Sequence, residues 1–250
     1  MAKILLIETS TEVCSAAVSV DGRVVALAED LECQSHAALL TLQISECTEA
    51  AGISLAQLDA VAVSQGPGAY TALRVGASVA KGICYALEKP LIAVDTLRAL
   101  AHASAEFGIR NAESERANSA FRTPHSAFLL PMLDARRQEV WLAVYDADLR
   151  EIAPAQPLIL ENNSFEKFVS EKIGDGKAER LVLSGNGIKK TRGGGISEKA
   201  VYSEIKKCSA RYLALLAERC FQANDFQDIA YFEPFYMKPP NITSPTKPPF

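Results

Sequence analysis

Two short stretches carry the side chains best able to handle an anion or a metal ion. Glu8-Thr9-Ser10-Thr11 sets a carboxylate and three hydroxyls in a row, directly after the apolar run Ile4-Leu5-Leu6-Ile7. Asp134-Ala135-Arg136-Arg137 follows the apolar run Phe128–Leu133 in the same way. A carboxylate at the end of a buried strand can serve as general acid or base, or hold Mg²⁺. Glu8 and Asp134 could do so as a pair across a cleft. The plainer reading is that each ends its strand and accepts nearby backbone N–H bonds.

A third stretch, Gly66-Pro67-Gly68 followed by Ala69–Gly76, joins an expected strand to an expected helix. Free N–H groups at a helix start can bind an anion. However, no Lys-Ser or Lys-Thr follows the second glycine, and the third glycine stands too late for a dinucleotide fingerprint. Small residues at Ala72, Gly76, Ala77 and Ala80 have another use, which is to let a second helix approach closely. A fourth stretch, Gly185-Asn186-Gly187, reads as a turn that could form a nucleotide loop in a second lobe. Lys189, Lys190 and Arg192 beside it read as a solvated surface, and Gly193-Gly194-Gly195 as a flexible loop.

Other chemistries find no support. His36, His102 and His125 include no pair three or four apart, so no helical zinc motif exists. No G-x-S-x-G elbow is present. The six cysteines form no C-x-x-C pair, and Cys14 falls inside an apolar strand, which favours packing over reactivity. Six free thiols in a reducing compartment are expected.

The elements that must position these residues follow from patterning. The 250 residues are 48% hydrophobic and 22% charged, which excludes a disordered chain. The formal charge of −4 argues against a protein that grips nucleic acid by itself. No apolar run reaches the ~18–20 residues of a membrane span, and the N-terminal run ends at Glu8, unlike a signal peptide. A cytoplasmic location follows as an expectation. Lys3–Ile7, Ser15–Val20 and Arg23–Ala28 read as strands, the last two joined by an Asp21-Gly22 hairpin turn. A helix capped by Ser35 should run to about Ala51 and stop at Gly52. Leu58–Val63 and Leu91–Val94 read as strands, and Ala69–Leu87 and Thr96–Phe107 as helices.

The stretch from Gly108 to His125 has little periodicity and reads as a linker. The pattern then repeats. Phe128–Leu133, Glu139–Tyr145 and Leu149–Ile152 are expected strands, with a turn at Asp146-Ala147-Asp148. A helix at Ser164–Glu171, a strand at Arg180–Leu183 and a helix at Ser209–Phe221 follow. Two domains are expected, 1–107 and 126–233, with a Pro-rich tail at 234–250 that is either loose or laid along a surface. A hairpin meander followed by alternating helices and parallel strands implies a mixed sheet flanked by helices. Two such α/β units resemble the duplicated ribonuclease-H-like fold of the actin, sugar kinase and Hsp70 superfamily. In that superfamily the first hairpin of each half turns a carboxylate and hydroxyls toward nucleotide phosphate.

Ile4–Ser15 (ILLIETSTEVCS), Gly66–Gly76 (GPGAYTALRVG) and Met132–Tyr145 (MLDARRQEVWLAVY) together resemble the TsaB (YeaZ) family. The family pattern at the middle segment is close to GPGSFTGLRIG. Glu8 stands where the family usually has Asp, which leaves Glu8, Thr9, Ser10 and Thr11 as a vestigial phosphate corner.

The resemblance implies a non-catalytic paralogue of TsaD, without metal or cofactor of its own. It would support TsaD, with the ATPase TsaE, in forming N6-threonylcarbamoyladenosine beside the anticodon of tRNAs that read codons beginning with A. TsaD carries the metal site and the transfer chemistry, and tRNA is met only indirectly. The family contact is a helix bundle from the N-terminal halves. It implies partner-facing roles for His36, Leu39, Leu40, Ile44, Tyr70, Thr71, Ala72, Arg74, Gly76 and Ala80, with a homodimer through the same face when TsaD is absent. The same helix faces could instead cover the sheet of their own domain. The competing reading is an enzyme of the same superfold, either a nucleotide-dependent kinase-like protein or a glycoprotease-like peptidase. Tight Mg²⁺-dependent ATP binding by the isolated chain would distinguish it.

Overall fold

The first sheet grows from alternation. In β1 (Lys3–Glu8), Leu5 and Ile7 point to one face and Ile4 and Leu6 to the other, and all four are fully buried. A strand apolar on both sides demands cover on both sides. β1 pairs antiparallel with β2 (Cys14–Val20), which pairs antiparallel with β3 (Arg23–Asp30). On its other edge β1 pairs parallel with β4 (Ala60–Gly66), and β4 with β5 (Leu91–Asp95). Helices α1 (His36–Ala51) and α2 (Tyr70–Leu87) lie side by side on the Leu5/Ile7 face. Ser35 stands at the start of α1 as expected, but its side chain makes no capping bond.

The second sheet repeats the first. Its strands are β6 (Ala127–Asp134), β7 (Glu139–Asp146), β8 (Glu151–Ile159), β9 (Arg180–Ser184) and β10 (Ala200–Tyr202). The spatial orders are β3-β2-β1-β4-β5 and β8-β7-β6-β9-β10, with the same antiparallel and parallel pairings. Pro154 and Pro157 are tolerated in β8 because it is an edge strand. Helix α4 (Ser164–Ile173) covers one face through Phe165 and Phe168, in the position α1 holds in the first half. Among the described residues between β9 and β10, a 3-10 turn, Asn186–Thr191, follows the strand where the first half has α2, and where the sequence suggested a simple Gly-Asn-Gly turn.

The remaining two helices are exchanged between the halves. Helix α3 (Thr96–Ser114) belongs to the first half by sequence, yet Leu97, Leu100 and Ala101 pack against Leu129, Leu133 and Tyr145 of the second sheet. Helix α5 (Ala214–Gln222) and the 3-10 turn Ala210–Leu213 before it belong to the second half. They lay Leu213, Ala214, Leu216 and Ala217 on Ile4, Leu6 and Ile92 of the first sheet. Each expected unit, 1–107 and 126–233, therefore holds one sheet, but the covers cross between them. Helix α3 also runs seven residues into the expected linker, to Ser114. The expected single helix from Ser209 is split by the 3-10 turn.

The computed structural model describes residues 1–114, 127–174, 176–191 and 199–238. The rest of the linker with His125, Arg192 and the triple glycine, and the tail beyond Lys238 lie outside the described residues. From Gln227 to Tyr236 the chain is laid along the first half, and Lys238 then pairs with Glu139 of the second sheet. Gln227 bridges to Leu91, Phe232 is buried in the α1/α2 core, and the Phe235 N–H donates to the Gln65 carbonyl at 2.7 Å. Among the described residues no helix is long and apolar enough to cross a membrane.

Candidate functional site

The carboxyl ends of β1 and β4 meet in a corner. Glu8 is 1% exposed. Its Oε1 accepts the Ser10 N–H at 2.6 Å and the Ser64 hydroxyl at 3.1 Å. Ser64 Oγ in turn accepts the Thr9 N–H at 3.4 Å. Burial pushes the Glu8 carboxyl above the usual carboxylate range, and the bonds from Ser10 and Ser64 pull it back only part of the way. Thr9 and Ser10 are also buried, and neither hydroxyl has a hydrogen-bond partner within ordinary geometry. The buried Cys208 thiol sits against this corner, pushed well up by burial, with Glu8 raising it further.

The Gly66-Pro67-Gly68 turn closes the corner. A Cβ on Gly68 would collide with the Ser10 carbonyl oxygen. That close approach lets the Ala69 N–H, at the start of α2, donate to the Ser10 carbonyl at 2.7 Å. At least one N–H of the helix start is thus spent on the chain itself rather than held for an anion. About two turns further on, Gly76 faces Thr9, and a Cβ there would overlap the Thr9 hydroxyl. The absence of a side chain at Gly76 serves this internal contact.

The second corner is built alike. Asp134 Oδ1 accepts the N–H of Arg136, two residues on, at 2.7 Å, as Glu8 accepts that of Ser10. Here a cation answers the acid, for Lys190 Nζ lies 2.6 Å from Asp134 Oδ1 and donates to the Glu139 carbonyl at 2.8 Å. Lys190 was expected on a solvated surface, but its side chain is only 14% exposed, because this pairing draws it in. Asn186 joins the two corners. Its Oδ1 accepts the Asp134 N–H at 2.9 Å, and its Nδ2 donates to Glu12 Oε2 at 2.8 Å. Both acids therefore accept nearby N–H bonds, as the plainer reading held. No group of three or more His, Cys, Asp or Glu able to hold a metal occurs among the described residues.

Most of the expected partner-facing residues point inward. Leu40, Ile44, Ala72, Gly76 and Ala80 are buried, and Leu39 packs against the same core. The apolar stripe of each helix is consumed by its own sheet. His36 is half-buried, with Nε2 3.2 Å from the Val13 carbonyl. Tyr70 is half-buried beside Tyr236, with ring centroids 4.6 Å apart. Thr71 and Arg74 are exposed, but Arg74 Nε donates to the Tyr236 hydroxyl at 3.3 Å. The outer faces instead show Leu42 on α1, 64% exposed, and Tyr85 on α2, 82% exposed.

Sequence reasoning overlooked Ser64, Cys208 and Tyr236. Ser64 had a findable signal, since it stands near the end of β4, two residues before Gly66, as Ser184 stands at the end of β9. Cys14 behaves as expected. It is fully buried, and burial pushes its thiol up to about 12.

Two five-stranded mixed sheets of identical order, each with a carboxylate at the end of its central strand, give the duplicated α/β fold of the ribonuclease-H-like class that the sequence led us to expect. YeaZ from Pseudomonas aeruginosa has the same fold. It superposes with a TM-score of 0.71 at 23% identity, over 94% of this chain and 100% of that one.

A family model described as "TsaD: tRNA N6-adenosine threonylcarbamoyltransferase" matches residues 31–243, and the chain belongs to that family. The tRNA threonylcarbamoyladenosine biosynthesis protein TsaB of Escherichia coli K12 is 34% identical over 58% of this chain and 56% of its own length. The TsaB of Haemophilus influenzae Rd is 31% identical over 56% of this chain and 52% of its own. The chain thus spans about half the length of the curated relatives it matches.

Proposed function

We propose that this chain is a non-catalytic supporting subunit in the biosynthesis of threonylcarbamoyladenosine on tRNA, acting by holding a TsaD-type partner. The observation that carries the reading is the first corner. Its carboxylate is buried under donors from its own chain, its glycine turn is pressed onto the Ser10 carbonyl, and the N–H of Ala69, the residue just before α2, is already bonded. A phosphate entering there would have to break these contacts. The similarity to the Escherichia coli and Haemophilus influenzae proteins of tRNA threonylcarbamoyladenosine biosynthesis supports the pathway.

Partner contact falls to the outer faces of α1 and α2, around Leu42, Ser78, Gly82 and Tyr85, which the internal core leaves exposed. These replace the buried small residues as the contact. TsaE would join the complex of the two, tRNA would be met through the partner, and a second copy would use the same face when the partner is absent.

The test mixes the purified chain with a TsaD-type partner, TsaE and tRNA, and measures threonylcarbamoyladenosine. The chain should be required for full modification and inert alone. Leu42→Glu with Tyr85→Glu should abolish co-elution with the partner while leaving the melting temperature unchanged. Turnover by the chain alone, or co-elution of the folded double variant, would refute the proposal.

A further inference from the structure

We infer that Phe235–Lys238 is a strap that ties the second sheet's β6–β7 hairpin to the first sheet's α2 and so holds the two lobes closed over their cleft. The near end of the strap is fixed to the first half. Lys81 Nζ donates to the Phe232 carbonyl at 3.1 Å and to the Ala230 carbonyl at 3.4 Å, and Phe232 itself is core.

The strap then crosses the end of β4. A Cβ on Gly66 would stand 2.6 Å from the Phe235 carbonyl oxygen, so the segment rests directly on that glycine. Tyr236 packs on Tyr70, its hydroxyl accepts from Arg74, and the Arg74 guanidinium lies 4.6 Å from the Tyr70 ring centre. The far end reaches the other lobe, where the Lys238 ammonium pairs with the Glu139 carboxylate at the start of β7.

That last contact gives the strap its role. Glu139 also holds Lys190 through its carbonyl, and Lys190 holds Asp134. The ties therefore run from α2 through Tyr236 and Lys238 to Glu139, Lys190 and the second corner. Asn186 and Glu12 form a parallel cross-link deeper in the cleft. With both in place, the hairpin cannot swing from α2 without breaking an aromatic stack and a charge pair. Each such contact is weak by itself, so the strap is a latch that a partner docking near α2 could release.

The test uses the full chain with Tyr236→Ser and Lys238→Ser together. Backbone amides of residues 134–142 should exchange about tenfold faster, while α4 and β9 keep their protection. Alkylation of Cys208, which lies buried against the first corner, should accelerate in parallel. Tyr236→Phe retains the stack and should give a smaller change in the same amides. Unaltered hairpin exchange in the double variant would overturn the inference. So would a uniform loss of protection that includes α4 and β9, since it would show a general destabilisation and not a lobe movement.

Discussion

The two corners share one plan and solve one problem oppositely. In both, a carboxylate ends the central strand and accepts an N–H from two residues on. At Glu8 the acid is buried, held by neutral donors, and shifted toward its protonated form. At Asp134 it stays 43% exposed and bonds a lysine. Both corners press a glycine turn onto neighbouring backbone, Gly68 onto Ser10 and Gly185 onto Met132, but only the second adds a charge pair. A duplicated frame thus preserves backbone geometry while its electrostatics diverge. A strand-end acid by itself therefore says little about catalysis.

The sharpest way to break the contrast is Gly68→Ala. The new methyl would strike the backbone of Ser10, which cannot yield easily, so about 3–4 kcal/mol of stability should disappear in urea titration. Gly187→Ala in the second corner, whose Cβ would stand 3.0 Å from atoms of Met132 and Leu133, should cost less. Next comes the pair Glu8→Ala and Asp134→Ala. The first strands two donors in the interior and should cost about 2–3 kcal/mol, the second about 1 kcal/mol, by the same measurement.

Asp95 extends the comparison, because it is a further carboxylate ending a strand of the first sheet. It accepts the Arg98 N–H at 2.7 Å, and burial pushes it up to about 6. The folded chain therefore binds this proton more tightly than the unfolded one. The contribution is fully present below about pH 4 and is lost as pH rises through about 6. Asp95→Asn should match the parent near pH 4 and exceed it by on the order of 2 kcal/mol at pH 7.5, in denaturation curves taken at both pH values. The smallest effect is expected for Lys190→Met. It should cost about 1 kcal/mol at low salt and less at high salt, because only the second corner depends on charge. Equal salt response at Glu8 and Asp134 variants would contradict the contrast.

Much of this was legible before any coordinates. The Asp21-Gly22 turn and the two-residue alternation in Lys3–Ile7 announced the meander. The recurrence of an apolar run, an acid and a second strand announced the duplication. Helix faces were not legible in the same way. A run such as Ala72, Gly76 and Ala80 records that something comes close, without saying whether it is Thr9 inside or a partner outside. Apolar periodicity in 214–222 likewise predicts a helix but not which of two sheets it covers. The stretch after Gly108 lacks a clear stripe, yet α3 runs through it to Ser114. Tyr236 was invisible because its partners, Tyr70 and Arg74, lie 166 and 162 positions earlier in the chain.

The crossed covers set a schedule for synthesis. When the ribosome has delivered β5, the Ile4, Leu6 and Ile92 face of the first sheet is complete but bare, and its lid lies more than a hundred residues downstream. At elongation speeds of roughly 5–20 residues per second that interval is on the order of ten seconds. Throughout it, the nascent chain presents an oily plane that only a chaperone or its own late helix can shield.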